Sequence, residues 1–149
     1  MALLAGCGGD DDTSSSGEDR LTKAEYTTQA NKVCSDIAEE QTEYEDRIDN
    51  LDRGDLKAAA PIIEEVLEKT RAGFDRLKAL SPPHSEREKV AAYLQSVERL
   101  LASRDKLTEA ARNDDSAAGE KASEEGDKLD AEQEGLADRL ALNDCDNVF

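Results

Sequence analysis

At 149 residues the chain has the length of one domain, and dividing it would leave two weak cores. Its 36 Asp and Glu against 19 Lys and Arg give a formal net charge of −17. That balance argues against a nucleic-acid partner, which needs clustered cations for its phosphates, and against docking on anionic lipid through a basic face. Aromatic residues are 3% of the chain and Trp is absent, so a fold depends on the few apolar residues being well placed. No stretch approaches the ~18 apolar residues of a spanning helix.

The chain opens on Leu3-Leu4-Ala5-Gly6-Cys7, followed by Gly8-Gly9-Asp10-Asp11-Asp12-Thr13-Ser14-Ser15-Ser16-Gly17. Leu4-Ala5-Gly6-Cys7 resembles the lipobox of bacterial lipoproteins. The resemblance implies cleavage before Cys7, which would carry the acyl lipid (palmitate among its chains) and hold the protein on the extracytoplasmic face of the cell membrane. The acidic Gly/Ser/Asp run that follows has no helix or strand propensity and suits a tether. Only six residues precede Cys7, with no basic residue and with Leu3 and Leu4 standing for the apolar region of a signal. The expectation is therefore that residues 1–6 are the remnant of a signal peptide, 7–20 a lipidated cysteine and flexible tether, and 21–149 the folded domain. The alternative is a cytosolic protein with an accidental thiol on a frayed tail.

Thr22-Lys23-Ala24-Glu25 reads as a capping box, with Leu21 and Tyr26 placed for a hydrophobic staple. Tyr26, Ala30, Val33, Ile37, Tyr44, Ile48 and Leu51, with Gln41 in one gap, then step along one helix face. Asp52-Arg53-Gly54-Asp55 ends that helix and caps the next. The second stripe is Leu56, Ile63, Val66, Leu67, Thr70, Phe74, Leu77 and Leu80; Pro61 is either tolerated early in it or moves its start to about residue 60. Ser81-Pro82-Pro83 stops it, and Ser85-Glu86-Arg87-Glu88 predicts a second capping box. The third stripe is Val90, Leu94, Val97, Leu101 and Leu107, and Asn113-Asp114-Asp115-Ser116 forms the last turn. The fourth is the weakest: Ala118, Ala122, Leu129, Leu136 and Leu140, interrupted by Gly119, Gly126 and Gly135.

Four helices with short connections and no period-2 alternation predict an all-α fold, an antiparallel four-helix bundle running up-down-up-down behind a disordered N-terminal tether. In that topology the first and fourth helices are adjacent, which brings Cys145 near Cys34 on the edge of the first stripe. A Cys34–Cys145 disulfide is expected, and it leaves Cys7 over for the lipid. A full-length fourth helix overshoots Cys34, so Leu142-Asn143-Asp144-Cys145 must fold back, with Asn143 suited to a left-handed turn. The alternative is two reduced core cysteines in a cytosolic protein. "LTKAEYTTQANKVC", "LSPP" between the second and third helices and "LNDC" near the end resemble small exported four-helix proteins of high-GC Gram-positive bacteria. Asn31, Val33, Cys34, Asp144 and Cys145 carry that resemblance, which implies the anchor and the disulfide and no established activity.

No catalytic residue, cofactor site or metal site is expected. His84 is the only histidine and follows two prolines in a turn, which suits a solvated helix start. No Ser-His-Asp arrangement is read in the sequence, and one histidine excludes a His-rich zinc site and a di-iron bundle with two Glu-x-x-His motifs. Glu39, Glu40, Glu43, Glu45, Asp46, Glu64, Glu65 and Glu68 read as a solvated acidic face, partly paired as in Glu65–Lys69, rather than a loose Ca²⁺ site. Asp49-Asn50-Leu51-Asp52-Arg53-Gly54-Asp55 fails the EF-hand register because Leu51 stands where an oxygen ligand is required. The expected function is non-enzymatic: a lipid-anchored binding or interaction module of the cell envelope. Its expected partners are the membrane through Cys7 and another envelope protein or small ligand. The alternatives are a carrier of a small apolar ligand, in a cavity lined by the Ala and Gly of the fourth segment, and a self-associating coiled coil built on the first stripe.

Overall fold

The computed structural model describes residues 20–51, 56–146, 148 and 149. Cys7, the signal remnant, nearly all of the expected tether and the Asp52–Asp55 connection lie outside the described residues. Among those described, all regular structure is helical: α1 (Lys23–Asp49), α2 (Leu56–Lys78), α3 (Arg87–Arg112) and α4 (Ser116–Leu140), with short 3-10 turns at His84–Glu86 and Asn143–Cys145. The architecture is the antiparallel four-helix bundle.

The first helix starts as its sequence requires. Thr22 N–H donates to Glu25 Oε2 at 2.8 Å, and Glu25 N–H donates to Thr22 Oγ1 at 3.3 Å. That reciprocal pair satisfies two donors with no helical partner and holds the Glu25 carboxyl below the usual carboxylate range. Pro61 lies inside α2, on the surface, and the helix runs through it from Leu56.

The second capping box does not form. The chain leaves Pro83 in a tight turn in which Glu86 N–H donates to the Pro83 carbonyl at 3.0 Å, and Glu86 itself precedes α3 without a side-chain cap. Its carboxylate turns inward and accepts from Lys89 at 2.9 Å and from Lys23 of α1 at 3.4 Å, bonds that hold its pKa down. Two prolines set the entry angle and leave Ser85 exposed in the turn.

The α3–α4 corner is made by aspartates. Asp114 is left-handed at φ 55°, Asp115 N–H reaches back to the Ala110 carbonyl at 2.9 Å, and Asp115 Oδ1 accepts from Ala118 N–H at 3.0 Å. One residue thus closes α3 and caps α4.

Interhelical ion pairs record the antiparallel register. Arg47–Glu65 and Arg76–Glu40 join α1 to α2, Arg71–Asp105 and Arg112–Glu64 join α2 to α3, and Arg99–Glu132 and Lys106–Glu125 join α3 to α4. In each seam one number rises as the other falls. These are solvent-exposed pairs, each contributing at most about 1 kcal/mol, so they select the pairing more than they stabilise it. Glu65 takes Arg47 as its ion-pair partner across the seam, where the sequence suggested Lys69.

The core runs through Ile37, Leu77, Tyr93, Val97, Leu100 and Leu140. On α4 the buried face is Ala122, Gly126, Gln133, Ala137 and Leu140, while Leu129 and Leu136 flank it half-buried and Ala118 is exposed. Small residues along that line let α4 lie close on α3, where Ser103 Oγ donates to the Ala122 carbonyl at 3.2 Å. All three tyrosines are buried. Burial pushes the Tyr26 hydroxyl up to about 12; burial and a hydrogen bond to Glu65 push Tyr44 up to about 12; burial also raises Tyr93. Because the folded-state pKa values are raised, their stabilisation is complete below pH ~10, where the unfolded phenol titrates, and is lost as pH rises toward the folded values. A spectrophotometric titration is therefore expected to show almost no tyrosinate near pH ~10, then one cooperative rise coinciding with loss of helical circular dichroism. Stepwise ionisation near pH ~10 with the helices intact would contradict this burial.

Candidate functional site

The two described cysteines meet at the junction of α1 with the end of the chain. Cys34 and Cys145 are joined by a disulfide with Cα atoms 4.9 Å apart, and both are fully buried. The route by which Cys145 arrives differs from the expected one. The fold-back pivots on Ala141, left-handed at φ 58°, whereas Asn143 opens the 3-10 turn beyond it. Ala141 N–H bonds to the Asp138 carbonyl and Leu142 N–H to the Ala137 carbonyl, both at 3.0 Å, which is the Schellman arrangement with alanine in the position glycine favours. A left-handed alanine costs about 1–2 kcal/mol, and the contacts that follow hold it in place.

Those contacts come from α1. Asn31 Nδ2 donates to the Ala141 carbonyl at 3.1 Å, and Asn31 Oδ1 accepts from Asp144 N–H at 3.1 Å. One side chain thereby serves both an unpaired carbonyl at the end of α4 and the backbone of the turn. Thr27 Oγ1 adds a longer bond to the Leu140 carbonyl at 3.4 Å. The asparagine, both cysteines and the aspartate of the short motifs therefore form a structural joint. α4 approaches α1 chiefly through this joint, and the segment after it fills the space between them: Leu142, Cys145, Val148 and Phe149 are all buried.

Two glutamines, Gln133 buried and Gln41 half-buried, fix the segment. Gln133 Nε2 donates to the Tyr93 hydroxyl at 3.2 Å and to the Cys145 carbonyl at 3.3 Å. Gln41 Nε2 donates to Thr70 Oγ1 at 2.8 Å and to the Val148 carbonyl at 2.9 Å. Phe149 then packs its ring against the edge of Phe74, centroids 5.9 Å apart at 75°. Gln41 was visible in the sequence as a polar gap in an apolar stripe; Gln133 had no such signal, because α4 shows no clear stripe around it.

The titratable groups are dispersed. His84 is exposed at the start of its turn. Glu40, Glu64 and Glu65 each take an arginine of a neighbouring helix, and that pairing lowers the pKa of Glu64 and Glu65. Among the described residues no group of three or more His, Cys, Asp or Glu is arranged to hold a metal ion. A bonded, fully buried sulfur pair is inert as a nucleophile.

Two concavities bear on ligand binding. The cleft between the facing ends of α3 and α4, about 420 Å³, is lined largely by charged and polar side chains such as Lys106, Glu109, Lys121 and Glu125. A smaller pocket of about 190 Å³ is bounded by α1, α2, α3 and the C-terminal segment. Its walls are Ile63, Val66, Leu67, Leu107 and Phe149, with Gln41, Thr70 and Arg104 at its polar edges. The apolar cavity is thus away from the small residues of α4, which are used in packing against α3. Val148-Phe149, two large apolar residues after an Asn/Asp-rich run, was the sequence signal for a docked terminal segment.

Compared with known proteins, the chain matches no family model, no curated protein and no solved structure.

Proposed function

We propose that this is a lipid-anchored, extracytoplasmic helical domain that acts by binding, without catalysis. The observation that carries the reading is the pairing of Cys34 with Cys145 in the interior. Of three cysteines in the chain, that leaves Cys7, in the lipobox-like Leu4-Ala5-Gly6-Cys7, as the one over. A stable disulfide belongs to an oxidising compartment, and a cysteine between an apolar run and an acidic tether suits lipidation there. The resemblance to small exported four-helix proteins of high-GC Gram-positive bacteria supports the same placement. The non-enzymatic part rests on how the polar groups are used: Asn31, Gln41, Gln133 and Glu86 hold helices and chain end together, and the charged pairs span helix seams. The partner class we propose is another protein of the envelope, the compartment in which the anchor would hold the domain. The carrier reading has one observation in its favour, the apolar pocket.

The test is the intact mass of the protein recovered from its host's membrane fraction, with and without reduction before thiol labelling. The expected result is loss of residues 1–6, acyl mass on Cys7, and two thiols appearing only after reduction. Cys7→Ala is expected to move the protein out of the membrane fraction. An unmodified N-terminus with three freely labelled thiols would overturn the placement, and turnover of a generic ester or peptide substrate by the purified protein would overturn the non-enzymatic reading.

A further inference from the structure

We propose that the pocket between α1, α2, α3 and the C-terminal segment binds an uncharged hydrocarbon group the size of one ring or a short alkyl chain. This deepens the binding reading and rests on it in one respect, that the domain works by holding something rather than by transforming it.

Size sets the first limit. The pocket holds about 190 Å³, whereas an apolar protein cavity of ~150 Å³ takes up benzene or xenon and stays dry without them. Drug-sized ligands need ~300 Å³ or more, so a whole lipid or a polycyclic ligand is too large to be enclosed and a single ring or short chain fits.

Wall chemistry sets the second. Ile63, Val66, Leu67, Leu107 and Phe149 present carbon, and each polar residue at the edge makes a hydrogen bond within the protein. Gln41 Nε2 is shared between Thr70 Oγ1 and the Val148 carbonyl. The Thr70 hydroxyl donates to the Val66 carbonyl at 2.8 Å. Arg104 donates to Asp130 Oδ2 at 2.9 Å. A charged or hydrogen-bonding ligand would surrender its water to a wall built mostly of carbon, whereas a hydrocarbon surrenders nothing. The geometry therefore selects against polarity as well as against size.

Preorganisation is the third element. Phe149 forms its wall only because the terminal segment is held in place, by Phe74 against its ring, by Gln41 on the preceding carbonyl, and by the disulfide four residues back. A preformed wall spares the ligand the cost of ordering it. Ile63, Val66 and Leu107 are only half-buried, which gives the pocket an open side through which a small molecule can enter.

The experiment is a methyl NMR titration of the full, oxidised chain with benzene, with benzoate as the charged counterpart. Saturable shifts are expected at Ile63, Val66, Leu67 and Leu107, with a Kd on the order of 1 mM for so few ligand atoms, and no saturation is expected with benzoate. Val66→Phe, which fills the pocket, is expected to weaken benzene at least tenfold. Xenon-pressurised crystals of the unaltered protein give a readout independent of that variant's folding, with density expected between Leu67 and Phe149. Benzene shifts that stay linear, equal saturation by benzoate, or xenon absent from this pocket would each overturn the proposal. None of these outcomes alters the mass of the membrane-derived protein, so the anchoring part of the reading above stands or falls on its own test.

Discussion

Reducing the Cys34–Cys145 bond is expected to lower the free energy of unfolding by about 4–5 kcal/mol. The two cysteines are 111 positions apart, and a cross-link closing about a hundred residues removes that much chain entropy from the unfolded ensemble. Domains of this size have only about 5–15 kcal/mol in all, so the reduced form should sit close to the threshold of folding. A fall in Tm on the order of 10–15 °C corresponds to that change. Urea unfolding of the oxidised protein, with and without reductant, measures the effect, and Cys34→Ala/Cys145→Ala should reproduce the reduced value to within the small cavities it leaves. A local consequence should precede the global one. Amide exchange should accelerate first at Leu142 and Asp144, whose N–H groups bond to the Ala137 carbonyl and to Asn31, because the joint loses its covalent tie while the helices remain. Coincident oxidised and reduced midpoints would mean that the bond constrains nothing that Asn31, Gln41 and Gln133 do not already hold.

The topology was legible because each helix announces itself through a stripe and a stop. Thr22 and Glu25 were separated by the spacing a capping box requires, nothing competed for them, and they formed it. Ser85 and Glu88 had the same spacing, but Pro82-Pro83 forced a tight turn ahead of them, and the intervening Glu86 turned inward to pair with Lys89 at 2.9 Å and with Lys23 of α1 at 3.4 Å. The third helix showed Val90 and Val97 but not Tyr93 or Leu100 as its centre. It packs against both α2 and α4, so its buried surface is wider than one stripe. On α4 the centre of the buried face is alanine, glycine and glutamine, residues whose burial reflects close approach rather than hydrophobicity, and an apolar scan passes over them. The disulfide partners were expected from the bundle topology and the resemblance, although Cys145 reaches α1 on the terminal turn rather than along a helix seam. The pivot was not expected, since a left-handed alanine is unfavourable in isolation and is fixed here by Asn31 on its carbonyl. The apolar pocket was the least legible feature, because its apolar walls come from α2, α3 and Phe149, far apart in the sequence.

Gly73→Ala should destabilise the protein by up to about 2 kcal/mol, against the usual sign for glycine in a helix. Within α2 the substitution gains about 1 kcal/mol of helix propensity. A Cβ at residue 73, however, would fall deep inside the van der Waals radius of Ile37 Cγ1 and 2.5 Å from its Cδ1. Ile37 is fully buried and β-branched, so its χ1 has little freedom to turn away, and overpacking of this kind costs about 1–3 kcal/mol. The glycine is therefore what allows α1 and α2 to close on each other at this level. Shortening Ile37 removes the obstacle. Ile37→Ala alone should cost about 2–5 kcal/mol through lost burial and the cavity it opens. Adding Gly73→Ala to that background should now stabilise, because the new methyl enters the vacated space and the propensity gain is no longer opposed. A change of sign between the two backgrounds is a coupling of more than 1 kcal/mol, within the range that residues in direct contact show, and denaturant unfolding of the four proteins measures it. If Gly73→Ala stabilises both backgrounds equally, the two helices do not approach as closely as the described geometry requires, and the packing of Ile37 at the centre of the α1–α2 seam is wrong.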